Sequence, residues 1–373
     1  VSTPVSIPRF PDEVTSTWLT GVLAPKGEEI QVSDVIVDPI GTGQTGATYR
    51  ISATYSANPA GLPTTFVIKL PVEDDESRAR VALGYRSECA FYASVADQVQ
   101  IPVPRSFHCE ITEDSLNYAL LLADQAPKEQ GDQIAGCSER EAKLAGAAIA
   151  GLHGPTWNAP EWLTFDGLAM ISLDAAGAKG LGDVCVMSAG LTAEKLAARL
   201  SSADVETLTA AMSLVTPWLL ADFGRFSLLH GDYRLDNILF HPDNDEISVV
   251  DWQTLSVGLP ARDLAYFMGT SVRTELRRSI ERNVVDTYHA ALSGYEIDGF
   301  DLESCWHDYR FGMIQALLMP SLGCAFAVDS SRGDDMFVSM IERGCQAIRD
   351  LDTLKLVAEE SVTGRTPGSA QNS

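Results

Sequence analysis

The sequence predicts an α+β chain in two lobes, a small antiparallel-sheet lobe followed by a larger helical one. Three observations carry this expectation. Residues 1–123 hold strand-like runs separated by turn residues. Beyond Glu139 the composition becomes Ala-rich and helically periodic. A short apolar hairpin near 226–251 interrupts the helical half. A chain of 373 residues is long enough for two compact units, and the expected division is 1–123, 124–360 and a disordered tail at 361–373.

In order along the chain, Val14, Trp18, Leu19 and Val22 give an apolar stripe for a short helix within 12–24. Residues 30–37 read as a strand, and Gly41-Thr42-Gly43-Gln44-Thr45-Gly46 follows as a glycine loop. A second strand over 47–55 turns at Asn58-Pro59-Ala60-Gly61 into a third, Thr65–Leu70. Acidic residues at 73–76 open a helix whose body runs near 78–96. Strands are expected at 105–112 and 117–123, and Gln, Gly, Asp and Pro at 124–137 mark the lobe boundary. Helices are expected over 139–152 and 192–222, with Pro217 in a first turn or at a kink. After the hairpin, with strands at 226–229 and 247–250, further helices are expected near 261–268, 272–294, 300–319 and 334–358.

Lys and Arg total 27 against 51 Asp and Glu, a net charge of −24 that argues against a nucleic-acid backbone as partner and would draw a small cation, though solubility alone also accounts for it. The densest basic stretch, Arg273, Arg277, Arg278 and Arg282, has the spacing of one helix face. Seven scattered cysteines with no Cys-x-x-Cys pair fit neither a disulfide framework nor a zinc site, and they suit a reducing cytoplasm. Nothing at 1–10 resembles a signal sequence, and no window approaches 18 apolar residues, so a membrane partner is not expected. Oligomeric state is not legible.

The chemistry concentrates in the hairpin. In His230-Gly231-Asp232-x4-Asn237, followed by a strand ending in Asp251, the loop and the strand terminus reach one space. Asn237 and Asp251 supply two hard oxygens for Mg²⁺, which leaves Asp232 to orient and deprotonate a hydroxyl. Upstream, glycines 41, 43 and 46 can bring backbone N–H groups close to phosphates. Lys69, a charge among apolar strand neighbours, needs a partner, and a phosphate oxygen with Glu88 on the following helix would satisfy it. Together these are the parts needed for phosphoryl transfer.

The stretch Leu229-His230-Gly231-Asp232-Tyr233-Arg234-Leu235-Asp236-Asn237-Ile238-Leu239-Phe240, with Val249-Val250-Asp251-Trp252-Gln253 and Pro260-Ala261-Arg262-Asp263, resembles the aminoglycoside phosphotransferase family of the protein-kinase-like superfamily. That family also holds choline kinases and an ecdysteroid-kinase-like group, toward which Asp-Trp-Gln leans. The resemblance implies a bilobal kinase-like fold and transfer of the γ-phosphoryl of ATP, with Mg²⁺, to a hydroxyl of a small-molecule acceptor. The acceptor classes it implies are amino sugar or aminoglycoside-like, and macrolide or sterol-like. It implies Asp232 as catalytic, Asn237 and Asp251 as metal ligands, Lys69 on the α/β-phosphates and Glu88 as its ion-pair partner. It also implies a hinge at 121–127 whose Leu122 and Ala123 face adenine. His230 and His153 would be structural, and Asp263 would tie the loop after Asp251 to the core. The glycine loop departs from both the protein-kinase form and the Walker A form, since Ala47-Thr48 stands where Lys-Ser/Thr is required. Asp236 is expected as a solvated loop charge, and Trp157, Trp162 and Phe165 as core packing. The alternatives are a kinase-like pseudoenzyme that binds nucleotide without turnover and a metal-dependent hydrolase.

Overall fold

The computed structural model describes residues 6–24, 29–40, 47–171, 173–326 and 330–363. Helix α1 (Ser16–Leu23), N-capped by Thr15, precedes strands β1 (Gln31–Pro39), β2 (Ala47–Ala57) and β3 (Thr65–Leu70). Helix α2 (Asp75–Ala90) widens into a π-turn over Phe91–Val95, and β4 (Ser106–Ile111) and β5 (Tyr118–Ala123) follow. The five strands form one antiparallel sheet in the order β1-β2-β3-β5-β4.

Strand alternation decides what each face of this sheet does. In β3, Phe66, Ile68 and Leu70 are buried in the core beneath α1, so Val67 and Lys69 project from the opposite face. In β5, Ala119 and Leu121 join that same core, while Tyr118, Leu120 and Leu122 join the large core that continues through the helical lobe. The sheet is therefore buried on both faces and tied to the rest of the chain through one of them.

Beyond β6 (Glu129–Gln130), helix α3 (Glu139–His153) opens on a capping box made by Ser138 and Glu141. Helices α4 (Ala175–Lys195), α5 (Ser202–Ser213) and α6 (Val215–Leu220) lead to β7 (Ser227–Leu229), β8 (Ile238–Phe240), β9 (Ile247–Val249) and β10 (Ser256–Gly258). These short strands pair as β6-β8-β9 and β10-β7. Helices α7 (Ala261–Ser271), α8 (Thr274–Leu292), α9 (Leu302–Gly312), α10 (Gln315–Phe326), α11 (Ser331–Asp350) and α12 (Thr353–Thr363) complete the lobe.

Three expectations need correction. Helix α4 begins at Ala175, ahead of the expected 192, because its buried side is made of small residues (Ala178, Gly182, Ser188, Ala189) that carry little periodic signal. The expected 300–319 helix divides into α9 and α10 around Gly312, where a Cβ would come within 3.2 Å of the Arg262 Cα. The expected 334–358 helix divides at Asp352, whose φ is +51°. Trp157 packs at a tilt against Phe300 and Trp162 edge-on against Phe165, with Trp162 buried and the other three half-buried at the edge of the core. Among the described residues no two cysteines are joined in a disulfide. Among the described residues no helix is long and apolar enough to cross a membrane.

Candidate active site

The loop after β7 is held from below by α7. Asp263, fully buried in the first turn of α7, accepts the backbone N–H of His230 at 2.7 Å and of Gly231 at 3.0 Å. His153 stands behind it, with Nε2 3.3 Å from Asp263 Oδ2 and Nδ1 2.8 Å from the Tyr288 hydroxyl. With Nε2–H donating to the carboxylate and the hydroxyl donating to Nδ1, every polar group in this chain is paired. The His230 ring lies 3.0 Å from the carbonyl of Val250, which ties the loop to the backbone just before Asp251. Gly231 has φ +82°, and a Cβ there would meet the Thr254 carbonyl oxygen at 2.4 Å, so only glycine fits.

This scaffold delivers Asp232 with both carboxylate oxygens oriented by donors and one acceptor site on Oδ1 left open. Tyr266, one turn beyond Asp263 on α7, donates its hydroxyl to Oδ1 at 2.8 Å. Arg234 Nε donates to Oδ2 at 3.1 Å, and Asn237 Nδ2 donates to Oδ2 at 3.0 Å and to the Asp232 carbonyl at 2.8 Å. Burial and the Asp232 charge both push the Tyr266 pKa well up, so its hydroxyl stays a donor. Asp236 is not a solvated charge. It takes Arg234 Nη1 at 2.6 Å and the Gln133 N–H at 3.2 Å, because the tight 3₁₀ turn over Leu235–Asn237 folds it back on the loop. Sequence reasoning missed Tyr266. The available signal was its i+3 spacing from Asp263, which puts both on the α7 face toward the loop.

From the other lobe comes Lys69. Its ammonium donates to both Glu88 oxygens at 2.6 Å and approaches Asp251 Oδ1 at 3.4 Å. Burial disfavours this ammonium, but Asp251 and Glu88 outweigh it and raise the Lys69 pKa, so the charge persists. For Asp251 burial also opposes ionisation, and Lys69 prevails to hold the carboxyl below its ordinary value. Glu88 has no solvent exposure and is also approached by the Trp252 N–H at 3.4 Å and Gln253 Nε2 at 3.3 Å. The Asp-Trp-Gln segment thus clasps Glu88, while Trp252 stacks on Phe91 with ring centroids 3.6 Å apart. Asp251 itself takes φ +68°, a left-handed turn that costs about 1 kcal/mol in an ordinary residue and turns the chain at the strand terminus.

Lys69, Glu88, Asp232, Asn237 and Asp251 all line one cavity of about 760 Å³. Ile40, Val67, Leu122, Leu239 and Val250 give it apolar walls, and α10 and α11 contribute Met319, Met336, Phe337 and Met340. Leu122 and Ala123 line it too, but the Ala123 N–H is bonded to the Arg105 carbonyl and its own carbonyl accepts from Gln125 Nε2. Gly41, Gly43 and Gly46 lie outside the described residues.

The donor set fits a divalent cation carried by phosphate. Asn237 spends its NH₂ on Asp232, which leaves Oδ1 for a metal, and Asp251 is ionised a short way along the same cavity. Among the described residues no three His, Cys, Asp or Glu side chains converge as a self-sufficient metal site. A hard cation held by these two oxygens would complete its shell from phosphate and water, as Mg²⁺ commonly does.

A model of the phosphotransferase enzyme family matches residues 37–301. The chain belongs to that family. Its members set the expectation of a kinase-like fold, and a solved Ralstonia eutropha chain assigned as an aminoglycoside phosphotransferase superposes with a TM-score of 0.53. That alignment covers 90% of this chain and 97% of the other at 16% identity, a likeness of fold. Among curated proteins, Homo sapiens acyl-CoA dehydrogenase family member 11 is 42% identical over 62 residues, 15% of this chain and 8% of that protein. Mus musculus acyl-CoA dehydrogenase family member 10 is 43% identical over 60 residues, 15% of this chain and 6% of that protein. The matched segment is thus a small fraction of these relatives' length.

Proposed function

We propose that this chain transfers the γ-phosphoryl group of ATP to a hydroxyl group of a small molecule. The observation that carries the reading is the convergence, in one interlobe cavity, of a charged buried lysine, an ionised strand-terminal aspartate and a positioned second aspartate. Lys69, fixed by Glu88, would hold the α/β-phosphates. Asn237 Oδ1 and Asp251 would hold Mg²⁺, whose charge would offset that developing on the phosphoryl oxygens. Asp232 would orient the acceptor hydroxyl and take its proton, with Tyr266 and Asn237 fixing the carboxylate plane.

The acceptor face favours an apolar alcohol, macrolide- or sterol-like, over a polyamine such as an aminoglycoside. Met319, Met336, Phe337 and Met340 line it, and the carboxylate of Asp236, which could have received an ammonium, is already taken by Arg234. The test is label transfer from γ-labelled ATP with Mg²⁺ to a panel of amino sugars, aminoglycosides, macrolides, sterols and hydroxyacyl thioesters, the last because two relatives are named for acyl-CoA. Transfer to an apolar alcohol, abolished in Asp232→Asn, is the expected result. Transfer undiminished in Asp232→Asn would remove Asp232 from the chemistry, and tight nucleotide binding with no transfer to any acceptor would favour a pseudoenzyme.

A further inference from the structure

The basic run at 273–282 does not act as one helix face. Arg277 is buried and paired with Glu281 at 2.6 Å and with Asp350. Arg278 reaches Asp350 and Glu275, each at 2.8 Å, and Arg282 lies over the Trp306 ring, 3.4 Å from its centroid. Arg273 turns into a surface hollow of about 510 Å³ at the start of α8. Arg278 borders the same hollow, and α11 adds Arg343 and Arg349. Four arginines thus meet in one place on a chain of net charge −24.

The carboxylates lining the hollow are Asp204, Glu275 and Glu342. Asp204 is taken by Arg349 at 2.9 Å and Glu275 by Arg278, while Glu342 feels the charges of Arg199 and Arg343 without an ion pair at contact distance among the described residues. Arg273 and Arg343 are different. Their hydrogen bonds go to backbone carbonyls: Arg273 Nε to Ala135 at 2.6 Å, Arg343 Nη1 to Gln133 at 2.8 Å and Thr270 at 3.0 Å, and Arg343 Nη2 to Ile134 at 2.7 Å. Among the described residues neither has a carboxylate at ion-pair distance. The two flank one turn, since a Cβ on Gly136 would lie 3.1 Å from Arg273 Cγ and 3.5 Å from Arg343 Nη2. Burial, and then the neighbouring Arg273 charge, lower the Arg343 pKa against the smaller opposing pull of Cys137, Glu342 and Asp132. Helix α8, 19 residues long, opens at this point with Arg273 as its N-cap and no side chain capping its first N–H groups.

We propose that this hollow binds a small phosphate-bearing anion, held between Arg273 and Arg343 at the N-terminus of α8. Two guanidinium groups with unspent N–H donors and an uncapped helix start match the charge and the several acceptor oxygens of a phosphate. The site is distinct from the nucleotide cleft, although Ile134 lines both cavities.

The experiment is calorimetric titration of the full chain with inorganic phosphate, pyrophosphate and glycerol 3-phosphate, without divalent cation. Saturable binding of at least one is expected, and comparison of the three arms separates free phosphate from a phosphate monoester as the natural source. Arg273→Gln should weaken binding about tenfold. Thr274→Glu, which places a carboxylate at the mouth but suits a helix first turn, should abolish it without unfolding the chain. Lys69→Met, in the cleft, should leave it unchanged. Absence of saturable binding overturns the proposal. So does binding that survives Arg273→Gln and Thr274→Glu but is lost in Lys69→Met, which would place the anion in the cleft.

Discussion

Replacing Lys69 by Met separates what the Lys69–Glu88 pair does for stability from what it does for chemistry. The variant keeps the aliphatic stem but leaves Glu88, with no solvent exposure, facing a thioether. Burial already pushes the Glu88 pKa up, and the opposing pull of Lys69 would be gone. The cheapest response is protonation. An ordinary glutamate with a pKa near 4.3 takes up a proton at pH 7 at a cost of about 1.36 kcal/mol per unit over ~2.7 units, or about 3.7 kcal/mol. That agrees with the ~3–5 kcal/mol lost when one member of a buried ion pair is removed. At pH 5.5 the same protonation costs only about 1.6 kcal/mol. The native variant then binds a proton that the unfolded chain releases, so its stability falls as pH rises through this window. Urea denaturation of wild type and Lys69→Met at pH 5.5 and 7 should show the deficit growing by about 2 kcal/mol between them. Adding Glu88→Gln to Lys69→Met should restore most of the stability at pH 7 and none of the activity. A deficit that does not change with pH, or a double variant no more stable than Lys69→Met, would show that Glu88 does not depend on Lys69 for its charge.

Tyr266→Phe removes one donor from Asp232 and little volume, so kcat should fall about tenfold with stability nearly unchanged, as steady-state kinetics and a melting curve would show. Gly231→Ala places a Cβ 2.4 Å from the Thr254 carbonyl at φ +82°, and the displaced loop should cost at least ~2 kcal/mol by denaturation together with most of the phosphotransfer. Burial would raise the Asp350 pKa, yet Arg278, Gln346 and Arg277 hold it down to about 2. Asp350→Asn should therefore destabilise the chain at neutral pH, with the difference from wild type shrinking as pH falls from about 4 toward 2, measured by thermal melting across that range.

Much of the site could be read from residue order because its geometry is local. Alternation in β3 puts Lys69 opposite the buried Phe66, Ile68 and Leu70, and the five-residue step from Asp232 to Asn237 closes on itself through one side chain. The parts that were not legible depend on partners distant in sequence. Asp236 reads as a loop charge until Gln133 is folded against it, and Tyr266 gains its role only once α7 is docked beneath the loop. Helix α4 escaped because alanines and glycines pack well without marking a face. The breaks at Gly312 and Asp352 reflect helix packing and a left-handed turn, and hydrophobic periodicity does not register either.

The most direct test of the account asks whether the cleft takes nucleotide through the assigned oxygens, independently of any acceptor. Calorimetric binding of a non-hydrolysable ATP analogue should be tight with Mg²⁺ and much weaker without it in wild type, and Asp251→Asn should lose most of the Mg²⁺ effect. Failure to bind the analogue, or equal binding with and without Mg²⁺, would contradict the assignment of this cleft to phosphoryl transfer.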